Sequence, residues 1–153
     1  MTDFIVRELR VEDLEKGFFE TLANLIPVGD LSTERARGIF DELSSNSVYT
    51  VFVAELEGQI VGAATLLIEQ KFLFNGGRMA HIEDVATRKG YERRGIGKAL
   101  QNAAAQKAIA MGCFRIDLCC EKENIPFYEQ CGFVVSEYSM QRHIIHIPPK
   151  QDG

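Results

Sequence analysis

The stretch His81 to Leu100, HIEDVATRKGYERRGIGKAL, constrains the fold more than any other part of the chain. It reads as a strand, then a loop of cations and glycines, then a helix. Met79 to Val85 reads as a strand after the turn at Asn75-Gly76-Gly77. From Gly95 to Met111 the apolar positions Ile96, Leu100, Ala104, Ala108 and Met111 fall on one helical face, and Gly112 can end the helix. Amides at a helix N-terminus have no intrahelical partners, and with the helix dipole they form an anion site. Gly95 and Gly97 let a ligand approach the backbone closely. Arg88, Lys89, Arg93, Arg94 and Lys98 place five cations in eleven residues of a chain whose net charge is −5. That combination suits a polyanion such as a pyrophosphate. It is neither the GxxxxGK[ST] of a P-loop nor the GxGxxG of a Rossmann turn. Taken alone, the segment fits a solvated basic loop with helix-start glycines equally well.

The remaining elements follow from periodicity. Phe4 to Arg10 alternates as a first strand, and Leu14, Phe18, Leu22 and Leu25 recur at helical spacing until Pro27 and Gly29. Ser32 or Thr33 can cap a second helix running to about Leu43. Val48–Leu56 and Ile60–Ile68 are β-rich runs joined by Glu57-Gly58, and Asn75-Gly76-Gly77 makes a further turn. Phe114 to Leu118 reads as a short strand, Pro126 to Gln130 as a short helix closed by Gly132, and Phe133 to Ile147 as a closing strand or strand pair. The expected class is α/β (α+β), a mixed sheet with helices on its faces.

At 153 residues, with 46% hydrophobic and 25% charged residues, one domain spanning 1–153 is expected. The acidic balance argues against nucleic acid as a partner. No apolar run approaches the roughly 20 residues of a membrane helix, and MTDFIVRELR reads as a strand and not as a signal peptide. No membrane contact and an intracellular, cytoplasmic location are therefore expected. Cys113, Cys119, Cys120 and Cys131 form no CxxC pair and read as reduced thiols, with no zinc site. His143 and His146, three apart in a strand, would face opposite sides, so no metal is expected there.

With these pieces in place, the strand–RRGIGKAL–helix segment resembles the acetyl-CoA pyrophosphate loop of the GNAT superfamily of N-acetyltransferases. ENIPFYEQCGF, Glu123 to Phe133, resembles that superfamily's second signature. Within it the chain is most similar to the glucosamine-6-phosphate N-acetyltransferases, through Val28-Gly29, AHIEDVA at Ala80–Ala86, RRGIGKAL, NIPFYEQCGF and the ending SMQRHI. The resemblance implies a GNAT-type fold with a mostly antiparallel sheet. It also implies acetyl transfer from acetyl-CoA to the 2-amine of glucosamine 6-phosphate, within UDP-N-acetylglucosamine biosynthesis, by a homodimer with shared sites.

The resemblance assigns roles residue by residue. Backbone groups of Asp84, Val85 and Ala86 would bind the thioester and pantetheine. Arg93, Arg94, Gly95, Ile96, Gly97 and Lys98 would hold the pyrophosphate, and Asn124 would cap the short helix and contact CoA. Tyr128 would bind CoA and stabilise or protonate the leaving thiolate; a half-buried tyrosine with a satisfied hydroxyl is the plain alternative. Glu83 and Asp84, expected on opposite faces of a regular strand, would meet the sugar with Val28. Arg142 or His143 would reach the phosphate in the neighbouring subunit's site, with Arg35 and Arg37 as further cations.

Two positions depart from the family pattern. Glu92 stands where the loop usually begins with Gln or Arg. Cys119 stands where a carboxylate base is proposed, and an ordinary thiol, with a pKa of about 8.5, matches that task poorly. Glu83, directly or through water, is therefore expected to take the amine proton. Otherwise the amine enters neutral and Cys119 only lines the pocket; its action as an acetylated nucleophile lacks an activating His nearby. Acetylation of a different amine, such as a polyamine or peptide N-terminus, and a non-catalytic acyl-CoA sensor are the competing readings.

Overall fold

The computed structural model describes residues 3–144. They fall into two compact units, one ending at Leu118 and the other beginning at Cys119.

The first unit is built on one sheet in the order β1 (Ile5–Glu8), β2 (Tyr49–Leu56), β3 (Gln59–Gln70), β4 (Arg78–Thr87) and β5 (Cys113–Leu118). The first four strands are antiparallel neighbours, and β5 joins β4 in parallel. The parallel join follows from connectivity, because a helix must cross between β4 and β5. That crossover is α4 (Ile96–Ala110), which buries Ile96, Leu100, Ala104 and Ala108 as its spacing requires. Gly62 makes the close approach possible: a Cβ there would lie 2.4 Å from Ile96 Cγ2 and 3.1 Å from Leu100 Cδ1. From Gly62 onward the even-numbered side of β3 therefore faces α4, while the register shift between Ala54 and Glu55 turns Ile60 to the other side. On the opposite side Phe18 of α1 (Phe18–Ala23) packs with Val53, Ile60 and Ala63.

The anticipated first helix is broken. Val11–Glu15 is a 3-10 turn, and Gly17, at φ 87°, separates it from α1. The spacing of Leu14, Phe18 and Leu22 concealed this break, which only a residue without a Cβ makes easily. α2 (Thr33–Ser44) begins as expected, with the Ser32 side chain accepting from the Arg35 amide. Glu57 and Gly58, at φ 50° and 75°, form the β2–β3 hairpin. Between β3 and β4 lies a single turn, α3 (Leu73–Gly76), in which Phe74 and Asn75 are left-handed.

In the second unit a 3-10 turn (Lys122–Asn124) leads into α5 (Ile125–Gln130) with Pro126 in its first turn. The expected closing strand is corrected: residues 133–144 pair with no strand among the described residues, and Val134, Val135, Tyr138, Met140 and Ile144 are exposed. A strand needs a partner edge, and alternation alone cannot supply one. The expectation for His143 in a strand falls with it. His146 and residues 145–147 of the anticipated strand lie outside the described residues.

Candidate active site

The end of β4 is irregular where the sequence places its acidic pair. Register runs Ala63↔Ala86 and then Thr65↔Glu83, so Asp84 and Val85 together oppose Ala64 in a β-bulge. Asp84 occupies the left-handed region at φ 52°, which Asp tolerates better than most side chains. The expectation that Glu83 and Asp84 face opposite sides holds for a regular strand, and here the bulge begins directly after Glu83, with both residues exposed. β5 pairs with β4 only as far as Ile82↔Leu118, so among the described residues Glu83 to Thr87 pairs with β3 along one edge and with no strand along the other. Strand polar groups along that edge make no ladder bonds and can serve a ligand.

Beyond β4 the chain forms a compact loop. Arg88 N donates to Val61 O at 2.8 Å, Tyr91 N to Arg88 O at 3.0 Å and Gly90 N to Glu92 Oε2 at 2.7 Å. Asn24, just after α1, donates to Thr87 O at 2.6 Å and to Glu92 Oε1 at 3.3 Å. The backbone amides of Glu92 itself and of Gly90 hold the Glu92 carboxyl below the usual carboxylate range. Glu92, the departure from the family pattern, thus braces the loop from its surface, through Asn24 and the Gly90 amide.

Arg93 at φ 62° and Gly95 at φ 81° then turn the chain into α4. The amides of Arg93, Arg94, Gly95, Ile96, Gly97 and Lys98 donate to no protein acceptor among the described residues. No acidic residue stands in the first turn of α4, and its N-cap has no side-chain bond. Arg93, Arg94 and Lys98 are exposed around these amides, with the Arg94 guanidinium 5.1 Å over the Tyr91 ring. Arg88 is half-buried instead, its Nη1 lying 2.6 Å from where a Cβ on Gly17 would stand. Six free donors at the positive end of a fifteen-residue helix fit a pyrophosphate well.

In the second unit Tyr128 is half-buried, its ring edge-on to Phe127 at 4.9 Å and to Phe133 at 6.0 Å. Its hydroxyl has no hydrogen-bond partner among the described residues, so the plain alternative of a satisfied hydroxyl does not describe it. Burial, with smaller contributions from Cys120 and Cys131, pushes the phenol up to about 12. Cys119 and Cys120 are exposed. Burial pushes the Cys120 thiol up as well. Asn124 occupies the N-cap of α5, but its side chain makes no cap bond; its φ of −91° and ψ of −7° are already helical, not the extended conformation a capping side chain uses.

The sugar-side residues are scattered. Val28 is half-buried in the α1–α2 connection. Arg142 and His143 are exposed and make no ion pair among the described residues. Arg35 and Arg37 are exposed and paired with Glu42 and Glu15, both at 3.3 Å. The described residues contain no group of three or more His, Cys, Asp or Glu able to hold a metal ion, and no helix among them is long and apolar enough to cross a membrane.

Sequence reasoning missed Asn24, which reaches Glu92 across 68 positions, and the cluster Glu69, Lys71 and His81. His81 Nε2 lies 2.8 Å from Glu69 Oε2, and Lys71 Nζ lies 2.8 Å from Glu69 Oε1. No local signal marks Asn24. The HIED stretch held the only hint of the cluster.

Comparison with known proteins bears on this geometry. The model of the acetyltransferase (GNAT) family matches residues 10–133. A glucosamine 6-phosphate N-acetyltransferase of Arabidopsis thaliana is 33% identical over 143 residues, covering 92% of this chain and 96% of that protein. One from Trypanosoma brucei brucei is 35% identical over 144 residues, covering 92% and 98%. The crystal structure of the glucosamine-6-phosphate N-acetyltransferase from Arabidopsis thaliana superposes with a TM-score of 0.90 at 32% identity, over 93% of this chain and 99% of that one.

Proposed function

The chain belongs to the acetyltransferase (GNAT) family, and on that premise we propose that it transfers the acetyl group of acetyl-CoA to the 2-amine of glucosamine 6-phosphate. The product, N-acetylglucosamine 6-phosphate, fits a role in UDP-N-acetylglucosamine biosynthesis. The cradle of six free amides at the start of α4 carries the acyl-CoA half of the reading. Likeness to relatives named for the sugar phosphate, along nearly the whole chain, supports the other half. The 153 residues are taken to act as one acetyltransferase domain.

Bound acetyl-CoA supplies an activated acyl carbon. The amides of residues 93–98 hold its pyrophosphate, with Arg93, Arg94 and Lys98 adding charge. Open backbone groups at Asp84, Val85 and Ala86 bind the thioester and pantetheine, where an amide can stabilise the developing oxyanion. Glu83 and Asp84, with Val28, bind the sugar, and Glu83 takes the amine proton, directly or through one water. Tyr128 donates a hydrogen bond to the departing thiolate. A phenol at about 12 is a weaker acid than an ordinary thiol, so it acts as a donor that never loses its own proton. Asn124 adds a CoA contact. Arg142 or His143 binds the phosphate in the site of a second copy, which makes the protein a homodimer.

Incubating the purified protein with acetyl-CoA and glucosamine 6-phosphate, unphosphorylated glucosamine, polyamines or peptides, and identifying products by mass spectrometry, tests the reading. Preferential acetylation of the phosphorylated sugar is expected. Acetylation of another amine alone rejects the substrate, and CoA binding without any product rejects catalysis.

A further inference from the structure

A carboxylate that takes a proton in every turnover must give it up before the next. The resembled family has a second carboxylate where this chain has Cys119, and a thiol is a poor place for that proton. The sheet face bearing Glu83 offers another group.

Thr65, Leu67 and Glu69 of β3, Met79, His81 and Glu83 of β4, and Arg115 and Asp117 of β5 share the face turned away from α4. On it Lys71 Nζ holds one oxygen of Glu69 at 2.8 Å, and the other oxygen meets His81 Nε2 at 2.8 Å. Lys71 and then His81 hold the Glu69 carboxyl below the usual carboxylate range. An ionised carboxylate only accepts, so Nε2 carries the hydrogen and a neutral ring keeps its lone pair on Nδ1; the tautomer is assigned from this partner. Nδ1 has no protein partner among the described residues, and the side chain is 26% exposed. This is an imidazole oriented by a carboxylate that is itself fixed by a cation.

His81 lies two residues before Glu83, and the register is regular between them, with Leu67↔His81 and Thr65↔Glu83. The bulge begins only after Glu83. The two side chains therefore share a face at a backbone separation of about 6.5 Å, a span one water can bridge. The other charges facing the ring cancel locally: Asp117, opposite His81 on β5, is paired with Arg115 at 2.8 Å. Glu69 is thus the carboxylate that acts on the ring, and Glu83 the one that can exchange protons with it.

We infer that His81, positioned by Glu69 and Lys71, accepts through Nδ1 the proton that Glu83 takes from the amine and releases it to solvent. The inference rests on the acetyl-transfer reading. The nitrogen–acyl carbon bond forms, and the carbon–sulfur bond breaks with its electron pair on sulfur. The amine proton passes to Glu83, then through water to Nδ1. The imidazolium, paired with Glu69, returns it to bulk water, from which the thiolate regains a proton.

The test is the pH dependence of kcat in the wild type, Glu69→Gln, His81→Asn and the double variant. The substrate amine contributes the same acid limb to every curve, so differences belong to the protein. Removing the Glu69 carboxylate takes away the partner that fixes the ring's tautomer, so Glu69→Gln lowers kcat by severalfold with KM for the sugar unchanged. His81→Asn lowers the plateau of kcat by about tenfold or more, with KM for the sugar unchanged, and the Glu69 effect disappears in the double variant. Profiles that superimpose on the wild type, or losses confined to KM, overturn the inference. Glu69→Gln retains the imidazole and decides the matter if His81→Asn folds poorly. Should the wild type acetylate a different amine, the same series on that amine decides the role of His81, and only the substrate assignment has failed.

Discussion

Tyr128 joins two properties that a structural tyrosine does not need: a hydroxyl without a partner among the described residues and a proton held up to about pH 12. A buried phenol normally finds a partner, because leaving it unsatisfied costs free energy. Its removal is expected to lower kcat rather than to destabilise the fold. Tyr128→Phe should reduce kcat by roughly tenfold to a hundredfold with KM for acetyl-CoA little changed, as steady-state kinetics will show. Ultraviolet titration should also lose a phenolate step near pH 12 in that variant. The raised value has a stability sign. The folded state holds this proton more tightly than the unfolded chain, whose phenol ionises at about 10. The resulting stability is complete below about pH 10 and is lost as the pH rises toward 12. Cys119 is the opposite case, an exposed thiol at the position where the sequence resemblance expects a carboxylate base. Cys119→Ala is expected to keep kcat within about threefold of the wild type, since general-base removal costs far more; a larger loss would return the base or nucleophile role to the thiol.

Among the elements, α4 and β3 set the position of the amide cradle, and Gly62 is where they touch. Gly62→Val places its Cβ 2.4 Å from Ile96 Cγ2, and neither backbone can give way without moving the start of α4. The expected cost is about 1–3 kcal/mol of stability, measured by denaturant unfolding, together with a raised KM for acetyl-CoA. An unchanged KM would mean that the cradle does not depend on this packing. The strand, basic loop and helix were legible in the sequence because their signals are local: the Asn75-Gly76-Gly77 turn before Met79–Val85, a helical stripe from Ile96 to Ala108, and glycines between. The bulge at Asp84 was not, because it arises from the register of β3 against β4 and is marked by no glycine. The brace from Asn24 to Glu92 and the pairing of Glu69 with His81 were hidden for the same reason, since each joins separate elements. Residues 133–144 show the converse error, in which a strand-like pattern was read without an edge to receive it.

At the scale of the whole molecule, a largely buried ionic group ties the sheet's first two strands to the turn that follows β1. Arg7 on β1 donates to Asp13 at 2.7 and 2.8 Å and to Glu55 of β2 at 2.6 and 2.9 Å, and Asp13 also accepts from the Arg10 amide at 2.7 Å. Burial pushes the Asp13 carboxyl up, but the Arg7 and Arg10 hydrogen bonds outweigh it and hold it below the usual carboxylate range. A depressed carboxylate stabilises the fold above its unfolded pKa, about 3.9, and that contribution is lost as the pH falls through the lower folded value. Asp13→Asn leaves Arg7 buried without its main counter-charge and should cost about 3 kcal/mol at pH 7, with the difference from wild type shrinking below pH 4 in acid unfolding curves. The proposed homodimer belongs to this scale too. If the Arg142 of one copy serves the Glu83 of the other, Arg142→Ala and Glu83→Gln chains are each inactive alone yet complementary. In a mixed dimer one site receives both defects and the other receives neither. Coexpression in equal amounts makes half the dimers mixed, so about a quarter of wild-type activity returns. A site built within one copy cannot do this, because no pairing of the two chains then yields an intact site. Activity of the coexpressed pair no greater than the mean of the separate variants would therefore reject the shared site, even where light scattering finds a dimer.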